Sequence, residues 1–141
     1  MQVFLDANIL FSAARSNGAI RELLRLLQQR GHSLVADTYV VTEARRNTAL
    51  KSSSDAVLDL EQLLTVVRVQ SIQYRMRAGA GLSDWLPEKD RPVLDAAIGS
   101  GCDALVTGDK THFGPGYGKT FGGVTVFSPA MLAMLLLDTS A

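Results

Sequence analysis

The sequence has no excess of either charge: fourteen acidic side chains balance fourteen basic ones across 141 residues. That balance removes a long-range electrostatic case for non-specific nucleic-acid binding and leaves room only for a local basic patch. Cysteine is nearly absent. Cys102, the single one, excludes an intrachain disulfide and a multi-thiolate metal site and points to a reducing cytosol. Aromatics make up only 6% of the residues against 47% hydrophobic overall, so the expected core is Leu, Val, Ile and Ala. No apolar run approaches the ~18 residues of a membrane helix, and the N-terminus, with Asp6 already in place, lacks the basic lead and apolar core of a signal peptide. The expectation is a soluble, cytoplasmic protein with no membrane partner. Its length suits a single domain over residues 1–141, since domains most often run to roughly 100–150 residues.

What is present is an alternation of short apolar runs with longer segments of helical periodicity, and Asp90 to Asp109 is the most informative stretch. Val93, Leu94, Ala97 and Ile98 recur at helical spacing, Gly99 and Gly101 end the helix, and Ala104 to Thr107 form a short apolar run bounded by Gly108, as a buried strand would. At about 100° per residue, Asp90 falls within about 10° of the centre of the helix's apolar face, and Asp95 about 130° from it. An inward-facing carboxylate needs a reason. Asp109 places a second acid where the backbone leaves the strand, at the rim where open α/β sheets bind ligands.

Val3, Phe4 and Leu5 read as a first strand that delivers Asp6 to the same rim, and Asp6 also suits the N-cap of a helix over Ala7 to Arg15. Asn8 is read as bonding local backbone in preference to orienting Asp6. Ile20, Leu23, Leu24 and Leu27 stripe a second helix, stopped by Gly31. Leu34 to Ala36 form a second strand. Asp37 or Thr38 then caps a helix to about Leu50, on which Glu43 shares a stripe with Tyr39, Val40, Asn47 and Leu50. Arg45 and Arg46 point elsewhere on that helix, where phosphate contact is the sharper alternative to a solvated surface role.

After the break at Ser52 to Ser54, a helix built on Val57, Leu58, Leu60, Leu63 and Leu64 precedes a strand over Val66 to Val69. Gly79, Gly81, Ser83 and Pro87 mark a loop in which Trp85 is expected to cover the core rather than stack a base. His112 has no second histidine at a metal-ligand spacing and is not expected in the site. The Gly118-Lys119-Thr120 ending imitates a phosphate-binding loop, but it follows no strand and opens no helix, so a flexible connection to a strand over Val124 to Phe127 is expected. Pro129 opens a last helix nearly encircled by Met131, Leu132, Met134, Leu135, Leu136 and Leu137. Such a helix should bury within the domain or against another chain.

This order predicts a three-layer α/β/α sandwich around a mainly parallel sheet, with Asp6, Glu43, Asp90 and Asp109 converging at one rim. Like charges so placed raise each other's pKa unless a cation sits among them. Oxygen ligands select Mg²⁺ or Mn²⁺ over zinc, and such an ion can bind a phosphodiester and activate water.

The set resembles a PIN domain, the metal-dependent ribonuclease fold that includes VapC-type toxins of toxin–antitoxin pairs. The matching pieces are Leu5-Asp6-Ala7-Asn8, Val41-Thr42-Glu43-Ala44, Asp90-Arg91-Pro92-Val93-Leu94 and Val106-Thr107-Gly108-Asp109, in order and in the right structural context across essentially the whole chain. The resemblance implies that Asp6, Glu43, Asp90 and Asp109 bind the metal, that Thr107 is the hydroxyl beside the last acid, and that single-stranded RNA is cut by in-line attack of activated water. It also implies a small antitoxin protein as partner for a toxin, and a homodimer, although PIN domains serve in RNA maturation and decay as well. Asp95 matches no metal-binding position. Arg45, Arg46, Lys110 and Lys119, beside the acidic motifs, are the candidate RNA contacts. A receiver-like phosphoacceptor would need an acidic pair after the first strand, and a haloacid-dehalogenase-like enzyme would need an acid where Asn8 stands. A non-catalytic binding module would have no use for all four acids.

Overall fold

The computed structural model describes residues 1–71 and 81–138; Gly79, expected in a loop, lies outside the described residues. In chain order the elements are β1 (Gln2–Leu5), α1 (Ala7–Arg15), α2 (Ala19–Gln29), β2 (Ser33–Asp37), α3 (Thr38–Lys51), α4 (Ser54–Leu64), β3 (Val67–Gln70), α5 (Arg91–Gly99), β4 (Ala104–Val106), α6 (Lys110–Phe113), β5 (Thr120–Phe121), β6 (Val124–Phe127) and α7 (Pro129–Asp138). One sheet runs β3-β2-β1-β4-β6-β5. Every neighbouring pair is parallel except the β5/β6 hairpin.

Burial explains why the sheet is the middle layer. Successive strand residues face opposite sides, yet Val3, Phe4 and Leu5 of β1 and Ala104, Leu105 and Val106 of β4 are all fully buried, so both faces are covered. The chain runs from β1 to β2 to β3 in one direction and then back past β1 to β4. Since parallel crossovers are right-handed as a rule, this order assigns the intervening helices to opposite faces. The α/β/α sandwich expected from the alternation is the architecture found. Winding reverses between β1 and β4, and the C-terminal ends of those two strands therefore border a crevice.

The helices begin where their caps place them. Asp37 Oδ1 accepts from the Val40 N–H at 3.0 Å and Ser53 Oγ from the Ala56 N–H at 3.2 Å, satisfying donors that the first turns leave open. α5 stops at Gly99, and Gly101 takes a φ of 70° as the chain turns into β4, a conformation glycine adopts without steric penalty. Trp85 covers the core as expected, stacked on Phe121 with ring centroids 4.9 Å apart and meeting Phe113 edge-on at 6.1 Å. Gly116 lies under this indole: a Cβ there would sit 2.4 Å from Trp85 Cη2.

Three expectations need correction. The segment after Asp109 is ordered rather than a flexible connection: α6 and a 3₁₀ turn over Gly114–Gly116 lead to a hairpin whose turn, Gly122-Gly123, has φ of 57° and 86°. A turn with two positive φ angles matches the twist of its flanking strands, which the glycine richness alone did not reveal. On α4 only Ala56 and Leu60 are buried, while Val57 and Leu58 face solvent. Leu50, assigned to the Glu43 stripe, is 74% exposed in the last turn of α3. On α7, expected to bury within the domain or against another chain, Leu132 and Leu136 are buried, but Met134 and Leu137 are more than half exposed, so the domain itself covers one face only. Among the described residues no helix is long and apolar enough to cross a membrane.

Candidate active site

The crevice beside β1 and β4 is where the acids meet. A cavity of about 180 Å³ there is lined by Asp6, Glu43, Asp90 and Asp109, together with Lys51 and Lys89. Each acid arrives for a local reason. Asp6 follows β1 and N-caps α1, its Oδ1 accepting from the Ala7 N–H at 2.7 Å. Glu43 stands half-buried on α3, one turn before Asn47. Asp90 ends a 3₁₀ turn (Glu88–Asp90) at φ −97°, ψ −16°, close enough to helical geometry that the turn runs into α5 and keeps the inward bearing read from the sequence. Asp109 follows β4 and caps α6, accepting from the His112 N–H at 3.1 Å. Asp95 does not line the cavity.

A polar network holds the two strand ends together. Thr107, fully buried, donates its hydroxyl to Asp6 Oδ2 at 2.8 Å and accepts from the Asp109 N–H at 3.2 Å. Asn8 donates to Asp6 Oδ2 at 3.2 Å and accepts from the Gly108 N–H at 2.8 Å. The expectation that Asn8 bonds local backbone is thus corrected: its backbone partner is a hundred residues away, brought close only because β1 and β4 are neighbours. Tyr117 donates its hydroxyl to the Thr107 carbonyl at 2.8 Å and so braces the same corner.

The electrostatics are those of an acid cluster with too few cations. Burial pushes the Asp6 carboxyl up to about 6, against the hydrogen bonds from Thr107 and Ala7, and Glu43 and Asp90 add to the rise. Asp90 is also raised, chiefly by burial, with His112 and Lys89 opposing and Asp109 reinforcing. Asp90 Oδ2 is buried and, among the described residues, accepts no hydrogen bond of good geometry. His112 Nδ1 lies 3.0 Å from that atom and 3.0 Å from Asp109 Oδ2, but meets hydrogen-bond geometry only with Asp109. A buried carboxylate oxygen without a donor is costly, and hard oxygen ligands of this kind suit a divalent ion. The residues present therefore fit a metal centre.

Sequence reasoning missed three side chains here. His112 was set aside for want of a second histidine, yet it touches two of the acids; its place three residues after the helix-capping Asp109 was the available signal. Lys51 and Lys89 line the cavity, and the spacing of Asn47 and Lys51 along the Glu43 face of α3 offered one of them. Of the proposed RNA contacts, none lines this cavity. Arg46 borders a neighbouring one that shares Glu43, Lys110 is exposed at the start of α6, and Lys119 is exposed before β5. Arg45 is held by Glu61 of α4 in a two-pronged pair at 2.9 and 2.8 Å.

Comparison with known proteins places this chain in a family. The PIN domain model matches residues 2–111, and the chain belongs to the PIN domain family. Several solved structures share the fold. VapBC2 from Rickettsia felis, bound to a DNA fragment from its promoter, aligns with a TM-score of 0.68 at 16% identity over 91% of this chain and 98% of that one. FitAcB from Neisseria gonorrhoeae gives 0.64 at 18% identity over 92% and 99%. The sarcin-ricin loop cleaving toxin VapC20 from Mycobacterium tuberculosis gives 0.61 at 14% identity over 85% and 99%. A search of curated proteins by sequence finds no match.

Proposed function

We propose that this chain is a Mg²⁺- or Mn²⁺-dependent endoribonuclease acting on single-stranded RNA in the cytoplasm, and the toxin of a toxin–antitoxin pair. The observation that carries the reading is the meeting of Asp6, Glu43, Asp90 and Asp109 around one cavity, with a buried Asp90 oxygen that, among the described residues, accepts no hydrogen bond of good geometry. Those four carboxylates would hold the ion. When bound, it polarises the phosphodiester and lowers the pKa of the attacking water. Thr107 and Asn8 fix the bearing of Asp6 and tie the Gly108 backbone to it, so the ligand set is held in place before any substrate arrives. Lys51 and Lys89 supply positive charge at the cavity wall for the phosphate backbone, with Arg46, Lys110 and Lys119 as outlying contacts and Arg45 engaged by Glu61.

The toxin reading is supported by the likeness to VapC20, a sarcin-ricin loop cleaving toxin, and by the VapC-type resemblance of the acidic motifs. The antitoxin is a separate small protein. Self-association is supported by the exposed Met134, Leu135 and Leu137 on α7, and light scattering at micromolar concentration should report a homodimer mass. The deciding test is digestion of intact RNA with Mg²⁺, Mn²⁺ or excess EDTA. Cleavage that needs the ion and disappears in Asp90→Asn is the expected result; cleavage that survives EDTA would sink the metal-dependent reading. Expression alone should arrest growth, and Asp6→Ala should relieve it. A wild-type chain harmless to its own host without an antitoxin would instead make this a housekeeping RNA-processing nuclease.

A further inference from the structure

We infer that His112 is an additional metal ligand and turns this centre toward Mn²⁺ and away from Mg²⁺; the inference rests on the metal-centre reading above. His112 Nδ1, Asp90 Oδ2 and Asp109 Oδ2 all lie within 4.8 Å of one another, with Nδ1 at 3.0 Å from each oxygen. Neighbouring ligands of an octahedral ion bound at about 2.1 Å are separated by roughly 3.0 Å, so the nitrogen already stands at the right distance from both.

Hydrogen bonding alone does not account for this arrangement. A proton on Nδ1 can serve only one of the two oxygens, and the better hydrogen-bond geometry is with Asp109 Oδ2. Asp90 Oδ2 then remains buried with that nitrogen 3.0 Å away as an ion-pair contact and, among the described residues, with no hydrogen bond of good geometry. An ion shared by the three atoms satisfies all of them at once. The side chain is also well held for such a role: its own backbone N–H is bonded to Asp109 Oδ1, which fixes the start of the short α6 and with it the ring's origin. Imidazole is a better ligand for Mn²⁺ and the later first-row ions than for Mg²⁺, which keeps to oxygen and dehydrates reluctantly.

The test is calorimetric titration of the full chain with MnCl₂ and with MgCl₂, alongside pulsed electron paramagnetic resonance of bound Mn²⁺. Wild type should show nitrogen coupling from a directly bound imidazole. His112→Ala and His112→Gln should lose that coupling and weaken Mn²⁺ binding by about tenfold or more, while changing Mg²⁺ binding by less than about threefold. His112→Asp should shift the preference toward Mg²⁺. If His112 only positions Asp109, both ions will weaken by the same factor and no nitrogen coupling will appear in wild type, and the inference is overturned. Asp90→Asn separates this failure from a deeper one: it should abolish binding of both ions. A wild-type chain that binds neither ion would bring down the metal-centre reading itself.

Discussion

Two neighbouring parallel strands of this domain end alike and lead to different things. β1 delivers Asp6 and β2 delivers Asp37, and both acids are buried and cap the helix that follows. Asp37 does not line the acid cavity, whereas Asp6 sits in its wall. The difference lies in the company each strand keeps. β2 runs between β1 and β3 where the winding continues in one direction, but β1 has β4 on its other side, where the direction reverses and a crevice opens. Residue type and capping role are therefore shared by a structural acid and a site acid. Position beside the reversal is what separates them.

Substitutions at these two acids should split activity from stability. Asp6→Asn is expected to lower RNA cleavage by about a hundredfold or more, since it removes a ligand and unsettles the Thr107 and Asn8 contacts, while Asp37→Asn leaves the rate within about twofold. A comparable loss of rate from both variants at equal folded fraction would break the comparison. The same pair should differ in pH dependence. The folded Asp6 carboxyl is raised from 3.8 to about 6, so protonation favours the folded state: the metal-free protein has this stability in full below about 4 and loses it as pH rises through 6. The full loss is worth roughly 3 kcal/mol for this group; urea unfolding in EDTA at pH 5 and 7.5 reads a little under half of it, the rest being lost between about pH 4 and 5, and Asp6→Asn should flatten that slope. Added Mn²⁺ should raise the melting temperature more at pH 7.5 than at pH 5, because the bound ion needs the ionised carboxylate.

Smaller effects sharpen the contrast further. Asp37→Ala removes the N-cap bond to Val40 and should cost about 1 kcal/mol in the same unfolding experiment, with cleavage by the folded fraction unchanged. Arg45→Ala breaks an exposed pair with Glu61 and should change stability by less than about 1 kcal/mol. Its effect on RNA affinity should fall below that of Lys89→Ala, whose side chain lines the cavity. A larger loss from Arg45→Ala than from Lys89→Ala would show that RNA runs along the α3/α4 surface instead.

Most of this architecture was legible in the sequence because its signals are local. Apolar runs bounded by turn residues gave β1, β2, β4 and β6 to within a residue or so, and helical spacing gave the inward bearing of Asp90 even though that residue closes a 3₁₀ turn. Convergence of the four acids followed from alternation and handedness. What escaped depends on pairing across the chain. Asn8 finds Gly108, His112 finds Asp90 and Lys89 joins Lys51 only when strand order is known, and no spacing within one segment carries that information. The β5/β6 hairpin was lost because two-residue strands have no periodicity to read. The outer face of α4 misled for the opposite reason: Val57 and Leu58 have the composition of a core, and this domain leaves them exposed.

The central claim is that the end of β1, and not the end of β2, is a divalent metal centre. Calorimetric titration with MnCl₂ of wild type, Asp6→Asn and Asp37→Asn at pH 7.5 tests it directly. Wild type and Asp37→Asn should bind Mn²⁺ with the same affinity, and Asp6→Asn should bind it at least about tenfold more weakly. Undiminished Mn²⁺ binding by Asp6→Asn, or its loss in Asp37→Asn, would contradict the account.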